Sequence, residues 1–396
     1  MLSRLLRISI YLLITVCVFD PADKLLKIKV PLFIFIWIIF LLEIIVKKEN
    51  VYFPQHLVLY FLLFSILLPL TSICIYMFKS GNLENYAGLN YLKSYLFLSL
   101  VFILYARNID LIKPLSLNIT VLSLISILLF LTAFNNSNIF NYWYTWGNKY
   151  GIFTFSWKKY GNLNMNAVYF HTVPLSVVAL SYFTFKTIFT KGFYRILFLI
   201  LLSINIVGMI VSGSRNSMIM SIFIPLVVFY WYSSNKKLLL VIILVIVMST
   251  SIVFLETIKG MIDINEYSNK IKLGHITDIL NILSNADTLL FGQGLGSYYF
   301  SNTLQQNTYV VETTYLDTFR QYGLIMGLCY LIMSLFPLMK LRFSINREKH
   351  YIFLAYIGYL IMSISNPFIL SSSGMLVLSI TLYVAFFKNI PIKYRI

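Results

Sequence analysis

Long apolar runs recur along almost the whole chain and limit its possible folds more than any other feature. Each is close to the ~20 residues with which a helix crosses a bilayer. We read spans at about residues 5–19, 28–46, 57–78, 90–105, 115–134, 167–185, 194–211, 216–232, 238–256, 314–338, 351–366 and 374–388. Hydrophobic residues make up 59% of the 396 residues and charged residues 11%, which excludes a soluble enzyme, a nucleic-acid-binding domain and a disordered chain. The sequence predicts an all-α, polytopic integral membrane protein with about 12 transmembrane helices.

The charge balance agrees with a membrane protein. The net charge of +17 comes from 31 Lys and Arg against 14 Asp and Glu. These basic residues are scattered singly, and alternate short connections are basic, as at Lys47 and Lys236. By the positive-inside rule both termini are expected to be cytoplasmic. There is no dense basic run, so we expect no nucleic-acid partner. The run 8–19 ends without a small-residue cleavage site and is expected to be the first span rather than a signal peptide.

Two connections are long, and this topology places both outside. The chain therefore divides into spans 1–5 (1–134), a first large outer loop (135–166), spans 6–9 (167–256), a second large outer loop (257–313), and spans 10–12 with a cytoplasmic tail (314–396). The first loop is rich in Trp, Asn and Tyr, a mixture that suits carbohydrate. In the second, apolar residues at Leu273, Ile276, Leu280 and Leu283 predict a short amphipathic helix. Such a helix lies either along the membrane surface or against the helix bundle.

The first candidate for chemistry is Arg215, in the sequence Ser-Gly-Ser-Arg-Asn-Ser between the seventh and eighth predicted spans. An arginine at a membrane boundary costs about 2–3 kcal/mol unless it is solvated or paired. Its planar guanidinium suits phosphate oxygens, and small neighbours let backbone N–H groups approach an anion. The alternative is an arginine that reaches lipid head groups. The Gly/Ser setting favours the anion-binding interpretation.

The second candidate is the run Gly292-Gln-Gly294-Leu-Gly296. It neither follows a strand nor opens a Rossmann helix, so it is not interpreted as a dinucleotide site. Glycines at this spacing let the backbone turn sharply or approach a substrate closely.

The third candidate is Glu312, at the entrance to the tenth span and followed by Tyr315, Asp317 and Arg320. A carboxylate at the end of an apolar helix is costly unless paired, and burial makes it a better proton acceptor. Glu312 is therefore a candidate general base, with interaction with the helix dipole as the alternative. Asp317 and Arg320 stand three residues apart, and pairing with each other is the favoured interpretation.

The fourth candidate is the Asn-rich run that contains Asn162 and Asn166, whose amides can both donate to and accept from sugar hydroxyls. Carboxylate pairs of the DxD type, HExxH and GxxxxGK[ST] are all missing, the histidines are scattered, and the three cysteines lie in apolar stretches. We therefore expect no metal site, no cofactor and no ATP hydrolysis. Any reaction must draw on a substrate that is already activated.

Taken in order, these motifs resemble the bacterial O-antigen polymerase and O-antigen ligase superfamily over about residues 150–335. The matching stretches are Gly161-Asn162-x-Asn164-x-Asn166-Ala167, Ser212-Gly-Ser-Arg215, Phe291-Gly-x-Gly-x-Gly296, Glu312-x-x-Tyr315-Leu316 and Tyr322-Gly-Leu-Ile-Met-Gly327. The resemblance implies a C-type glycosyltransferase membrane fold in the bacterial inner membrane. It also implies undecaprenyl-diphosphate-linked oligosaccharides as substrates, membrane lipids as surroundings, and a chain-length regulator and a flippase as partners. The ligase motif opens with a histidine where this chain has Glu312, which favours the polymerase.

The family usually carries a further essential arginine in the large outer loop, yet none lies between Arg215 and Arg320. Lys270, Lys272 or His275 would have to substitute for it, or Arg320 would have to reach the site. On this interpretation Arg215 holds the donor diphosphate and Glu312 accepts the proton of the acceptor hydroxyl. The residues expected to bind substrate are Arg320, Lys272, His275, Asn162, Asn166, Gly294 and Tyr315.

The alternative from another class is a lipid-linked oligosaccharide flippase, which should keep ionisable residues inside several spans. The candidates for such residues in this chain are Glu43, Lys93 and Arg320. Polar residues collect in the two outer loops instead, so the enzyme is the favoured interpretation.

Overall fold

A computed structural model describes residues 1–80, 87–133, 137–160, 163–233, 236, 259, 263, 266–309, 311–342, 350–367 and 369–387. The chain is mostly helical, and within these ranges seven helical segments are long and apolar enough to cross a membrane. This agrees with a multi-pass membrane protein. The count of twelve spans and the cytoplasmic termini stay predictions, and the predicted span 238–256 lies outside the described residues.

The helices follow the predicted apolar runs closely. In chain order they are α1 (Leu2–Phe19), α2 (Lys29–Lys47), α3 (Gln55–Phe61), α4 (Leu68–Ser80), α5 (Gly88–Leu96), α6 (Leu100–Arg107), α7 (Ile112–Ala133), α8 (Ser137–Tyr150), α9 (Ser176–Phe189), α10 (Gly192–Val211), α11 (Arg215–Tyr232), α12 (Tyr267–Leu283), α13 (Ala286–Phe291), α14 (Thr314–Arg342), α15 (His350–Met362) and α16 (Ser372–Phe386). A π-helical turn joins α3 to α4, and a 3₁₀ turn joins α5 to α6. The seven long segments are α1, α2, α3–α4, α5–α6, α7, α10 and α14, whereas α9, α15 and α16 are apolar but shorter.

Two antiparallel hairpins depart from the all-helical expectation. Strand β1 (Phe153–Tyr160) pairs with β2 (Leu163–Phe170), and β3 (Tyr299–Ser301) pairs with β4 (Gln306–Thr308). In β1 the aromatic residues Phe153, Phe155 and Trp157 alternate with polar residues, which is the pattern of a strand. Phe153 and Phe155 are buried, whereas Trp157 is exposed. No strand was predicted here. Because β2 takes residues up to Phe170, the predicted sixth span at 167–185 begins too early. Its helix, α9, starts at Ser176 after a 3₁₀ turn.

The chain divides into two compact units. Unit 1 contains residues 1–48, 111–266 and 354–362, and unit 2 contains residues 49–110, 267–353 and 363–396. In unit 1, α10 packs against α7, α9 and α11, and α7 also contacts α1 and α9. In unit 2, α16 packs against α5, α6 and α14.

A buried polar contact joins α7 to α10 inside unit 1. The side-chain amide of Asn205 donates to the hydroxyl of Thr120 at 2.8 Å, and its oxygen accepts from the hydroxyl of Ser123 at 3.2 Å. One turn further along α10, a Cβ at Gly208 would lie 2.6 Å from the Cβ of Ser123. Small residues thus let the two helix backbones approach closely, as is common where helices pack in membranes.

We expect Gly208→Leu to separate α7 from α10 and to lower the thermal stability of the protein in detergent. The control is Ser203→Leu, on the exposed face of the same helix, which adds a similar volume where nothing has to move. The midpoint of thermal unfolding, followed by tryptophan fluorescence, measures both. Equal midpoints for the two variants would contradict this account of the α7–α10 contact.

Candidate functional site

The first cluster of candidate residues lies in unit 1, at the turn 212–215 between α10 and α11, here called the Arg215 turn. The backbone of Gly213 has φ +63°, and a Cβ there would lie 2.3 Å from the Cβ of Ala167 on β2. Only glycine fits both the left-handed backbone and the close approach. The turn therefore lies directly against the β1–β2 hairpin, and Arg215 begins α11 at that place.

Arg215 has a carboxylate partner within unit 1. Its guanidinium donates to Oε2 of Glu266, and the two side chains are 19% and 22% exposed. The cost of an arginine at a membrane boundary is thus offset inside the protein. Both groups also remain accessible to solvent, so an external anion can compete with Glu266 for the guanidinium.

The predicted sugar-binding asparagines belong to the same hairpin. Asn166 pairs across the hairpin with Trp157, and its neighbour Ala167, which faces the Arg215 turn, pairs with Ser156. Successive residues of a strand point to opposite faces, so the side chain of Asn166 lies on the sheet face opposite the Arg215 turn. It is 7% exposed, and its Oδ1 has no hydrogen-bond partner among the described residues. Asn162 lies outside the described residues.

Unit 1 also contains a cavity of about 660 Å³ where the end of α7 faces the start of α8. Its lining residues are Ile125, Leu128, Leu129, Thr132, Asn138, Ile139, Tyr142 and Trp143. The hydroxyl of Thr132 already donates to carbonyls of its own helix. This lining suits a hydrocarbon chain better than a sugar, which needs convergent polar groups.

The second cluster lies in unit 2, where α14 is interrupted at Gly323. This residue has φ +74°, so the hydrogen-bond ladder breaks in the middle of an apolar helix. The carbonyls of Arg320 and Gln321 accept instead from the backbone N–H groups of Gln293 and Gly294, at 2.7 and 3.0 Å. The run 292–296, here called the glycine loop, therefore completes the broken helix.

The close fit of the glycine loop explains its glycines. A Cβ at Gly294, where φ is +94°, would lie 2.4 Å from the Cβ of Tyr76 on α4. At Gly296 a Cβ would lie 2.4 Å from the backbone nitrogen of Gly88. Of the two roles expected for these glycines, sharp turning against neighbouring backbone accounts for them. Substrate binding by Gly294 stays a prediction.

Arg320 is fully buried beneath the glycine loop. Its Nε donates to Asp317 at 2.6 Å, and its Nη1 donates to the side chains of Gln293 and Ser297 at 2.9 and 2.8 Å. Its guanidinium also lies over the ring of Tyr299, 4.8 Å from the centroid, while its Nη2 has no partner among the described residues. The expected pairing of Asp317 with Arg320 is present. This arrangement favours a structural role for Arg320 over direct contact with substrate.

Glu312 stands before the first turn of α14 and is 40% exposed, so it is less buried than the sequence led us to expect. One of its oxygens lies 3.5 Å from Nζ of Lys272 on α12, which is 31% exposed. Tyr315 lies in the following helical turn and is partly buried. The structure thus brings two predicted residues, Glu312 and Lys272, into one accessible ion pair.

His275, one turn along α12 from Lys272, is buried. Its Nδ1 forms a 2.6 Å hydrogen bond with the hydroxyl of Tyr299, the residue whose ring lies beneath Arg320. Burial lowers the pKa of His275 from its usual 6.5, although the nearby carboxylates of Glu312, Asp278 and Asp317 oppose the shift. Burial likewise raises the pKa of Tyr299. His275 therefore belongs to the network that holds Arg320.

The helix predicted at 270–283 is confirmed as α12, but its buried face differs from the predicted apolar one. The buried residues are His275, Asp278 and Ile279, whereas Leu273 and Leu280 are 43% and 52% exposed. Asp278 accepts from the backbone and side chain of Asn302 in the loop of the β3–β4 hairpin. Polar contacts and a small hydrophobic cluster around Ile279 thus fix the helix to the protein, and Leu273 and Leu280 stay outside.

Sequence reasoning passed over several residues of both clusters. Glu266, Gln293, Ser297 and Tyr299 contact predicted site residues but stand in no recognisable motif. Within the described ranges, His, Cys, Asp and Glu form no group of three that could hold a metal ion. A scan of known protein-family models, a search of curated proteins and a search of solved structures each find no match to this chain.

We expect His275 to make the protein less stable in mild acid. Burial lowers the pKa of His275 in the folded protein, so this histidine takes up a proton less readily than in the unfolded chain, where it does so near pH 6.5. The contribution of neutral His275 to the free energy of unfolding is therefore complete above pH 6.5 and is lost as the pH falls below it. Thermal midpoints at pH 7.5 and 5.5 should fall more for wild type than for His275→Asn. His171, whose pKa is also lowered by burial, contributes equally to both proteins; identical falls would contradict the assignment.

We expect Arg320→Ala to destabilise the protein severely, by about 3–5 kcal/mol, because it leaves the carboxylate of Asp317 buried without its cation. Lys272→Ala breaks an exposed ion pair and should cost only about 0–1 kcal/mol. Yield of monodisperse protein and the thermal midpoint compare the two. A well-folded Arg320→Ala protein would argue that Arg320 is available for a ligand.

Proposed function

We propose that this protein is an O-antigen or related surface-polysaccharide polymerase with a C-type glycosyltransferase fold, acting at the periplasmic face of a bacterial inner membrane. It would transfer the growing glycan from undecaprenyl diphosphate onto the next lipid-linked repeat unit, without a metal ion. The observation that carries the proposal is the Arg215 turn. The turn lies against the β1–β2 hairpin at the end of the apolar helix α10, and its Arg215 side chain, on the first residue of α11, is 19% exposed.

We infer the chemistry from the roles that the family resemblance implies for Arg215 and Glu312. The acceptor hydroxyl oxygen attacks the anomeric carbon of the donor glycan, and the bond from that carbon to the diphosphate oxygen breaks. Undecaprenyl diphosphate leaves with the electron pair, and Arg215 stabilises the charge that develops on it. Glu312, which forms an ion pair with Lys272, takes the proton of the acceptor hydroxyl.

Two further features are proposed to bind the sugar and the lipid chain of the substrates. The exposed ring of Trp157 on β1 offers an apolar face for a sugar. The cavity between α7 and α8 suits the hydrocarbon chain of a lipid-linked substrate. A flippase and a chain-length regulator remain the expected partners.

Pairing of the intramembrane charges favours an enzyme over a flippase. Glu43 on α2 accepts from Lys47 at 2.7 Å, and Arg320 on α14 pairs with Asp317. Lys93 on α5 is exposed. A flippase needs ionisable groups along its translocation path, whereas these charges are engaged within their own units.

A direct test uses the purified protein in detergent with an undecaprenyl-diphosphate-linked repeat unit, without nucleotide and with EDTA. We expect a ladder of polymer on a gel, and a rate lower by about 10²–10⁴-fold for Glu312→Gln, because a general base contributes that much. Arg215→Ala should also lose the ladder. Lys149→Ala, a charge removed elsewhere in unit 1, is the control.

The outcomes separate the alternatives. Normal polymer lengths from Glu312→Gln would remove that residue as the base. If folded wild-type protein leaves the substrate unreacted, lipid A-core is added as acceptor, and a product then indicates the ligase. Rescue of a flippase-deficient strain by this chain would indicate the flippase.

A further inference from the structure

A second basic side chain lies against the Arg215 turn. A Cβ at Gly213 would be 3.4 Å from Cγ of Lys158 on β1, as well as 2.3 Å from Cβ of Ala167. The register explains this, because Ser156 pairs with Ala167 and Lys158 stands two residues from Ser156. Side chains of alternate residues share a sheet face, so Lys158 and Ala167 face the turn together. The stem of Lys158 thus passes over Gly213, two residues from Arg215.

The charges at this place are unequal. Arg215 has Glu266 as its counter-ion, whereas no carboxylate within the described ranges forms an ion pair with Lys158. The positive end of the α11 dipole adds to the local field. Among the described residues, Lys158 thus adds a positive charge without an ion pair to a turn whose arginine is paired with Glu266.

A buried polar group also lies in the first turn of the same helix. Ser217, in the first turn of α11, is fully buried, and its hydroxyl has no hydrogen-bond partner in the part of the chain that the structure describes. Buried hydroxyls are rarely left unpaired, and a bound ion or water is a common explanation. The first turn of a helix is also where anions bind backbone N–H groups.

We propose that Lys158 is the second cation of a diphosphate-binding site at the Arg215 turn, and that Glu266 is the internal anion that the diphosphate displaces. This inference rests on the proposed function, and it names the residue that replaces the missing loop arginine. The charges match: a diphosphate esterified at both ends carries one negative charge on each phosphoryl group. Once Glu266 is displaced, Lys158 and Arg215 supply one positive charge for each.

Binding of farnesyl diphosphate to the full-length protein in detergent, measured by isothermal titration calorimetry, tests the proposal. Lys158→Met keeps the stem that packs on Gly213 and removes the charge, so we expect affinity to fall about tenfold or more. Lys158→Arg should restore binding. Glu266→Gln should bind more tightly than wild type, because the competing carboxylate is gone. Lys149→Met is the matched control and should bind like wild type.

The result that overturns the proposal is a Lys158→Met protein with the thermal midpoint and the farnesyl diphosphate affinity of wild type. Loss of binding that Lys158→Arg does not restore also overturns it, because the loss is then not one of charge. If Glu266→Gln binds more weakly than wild type, Glu266 is a support for Arg215 and not a competitor.

The same variants in the polymerisation assay separate this inference from the proposed function. If the affinities change as expected but wild type makes no polymer, the diphosphate site stands and the polymerase does not. If wild type makes polymer and Lys158→Met does so with unchanged KM for the donor, the polymerase stands and the role of Lys158 fails.

Discussion

A break inside an apolar helix leaves carbonyl groups without donors, and in unit 2 the surrounding structure is built to satisfy them. Gly323 interrupts α14, and the N–H groups of Gln293 and Gly294 reach the freed carbonyls. The hydroxyl of Ser72 on α4 also donates to the carbonyl of Gln321, at 3.0 Å. Unsatisfied backbone groups in a low-dielectric region cost several kcal/mol each. The glycine loop therefore has to follow one path, and that path closes over Arg320.

Close packing of the backbone around a glycine also determines the position of the candidate site in unit 1. Gly213 brings the Arg215 turn into contact with the β1–β2 hairpin, so the position of Arg215 is set by backbone packing and not by long flexible side chains. The hairpin is held in turn by α7, where the hydroxyl of Ser126 donates to the carbonyl of Val168. A cation fixed in this way loses little conformational freedom when an anion binds, which favours affinity.

The apolar runs predicted most of the helices. A segment that crosses a bilayer must satisfy its backbone hydrogen bonds within itself, and it can be recognised in the sequence by its length and apolar composition. The start of α14 was predicted at Thr314, where the structure has it, and α12 was found from its leucine spacing. The first hairpin was missed because β1 and β2 lie in a stretch too polar to be a span, and the alternation of Phe153, Phe155 and Trp157 with polar residues was not interpreted as a strand.

The candidate site was predictable only in part. Glycines and lone charges can be recognised one at a time, whereas the pairing of Arg215 with Glu266 joins residues 51 positions apart. No local pattern encodes such a pair. The same holds for Lys158, which reads as an ordinary strand lysine until the register and the conformation of Gly213 are known.

Arg320 and Arg215 were both candidates from the sequence, but the structure buries them to different extents. Arg320 is fully buried, and four hydrogen bonds to Asp317, Gln293 and Ser297 already occupy most of its donors. A diphosphate that drew Arg320 out of this network would leave Asp317 uncompensated, and a buried carboxylate without its cation is strongly destabilising. Arg215 is 19% exposed, and its carboxylate partner is itself 22% exposed. Both groups of this pair are partly accessible, so an external anion can reach the guanidinium and replace Glu266 without leaving a fully buried carboxylate uncompensated. The ease of that exchange, more than the presence of an arginine, is what makes the Arg215 turn the better candidate for an anion-binding site.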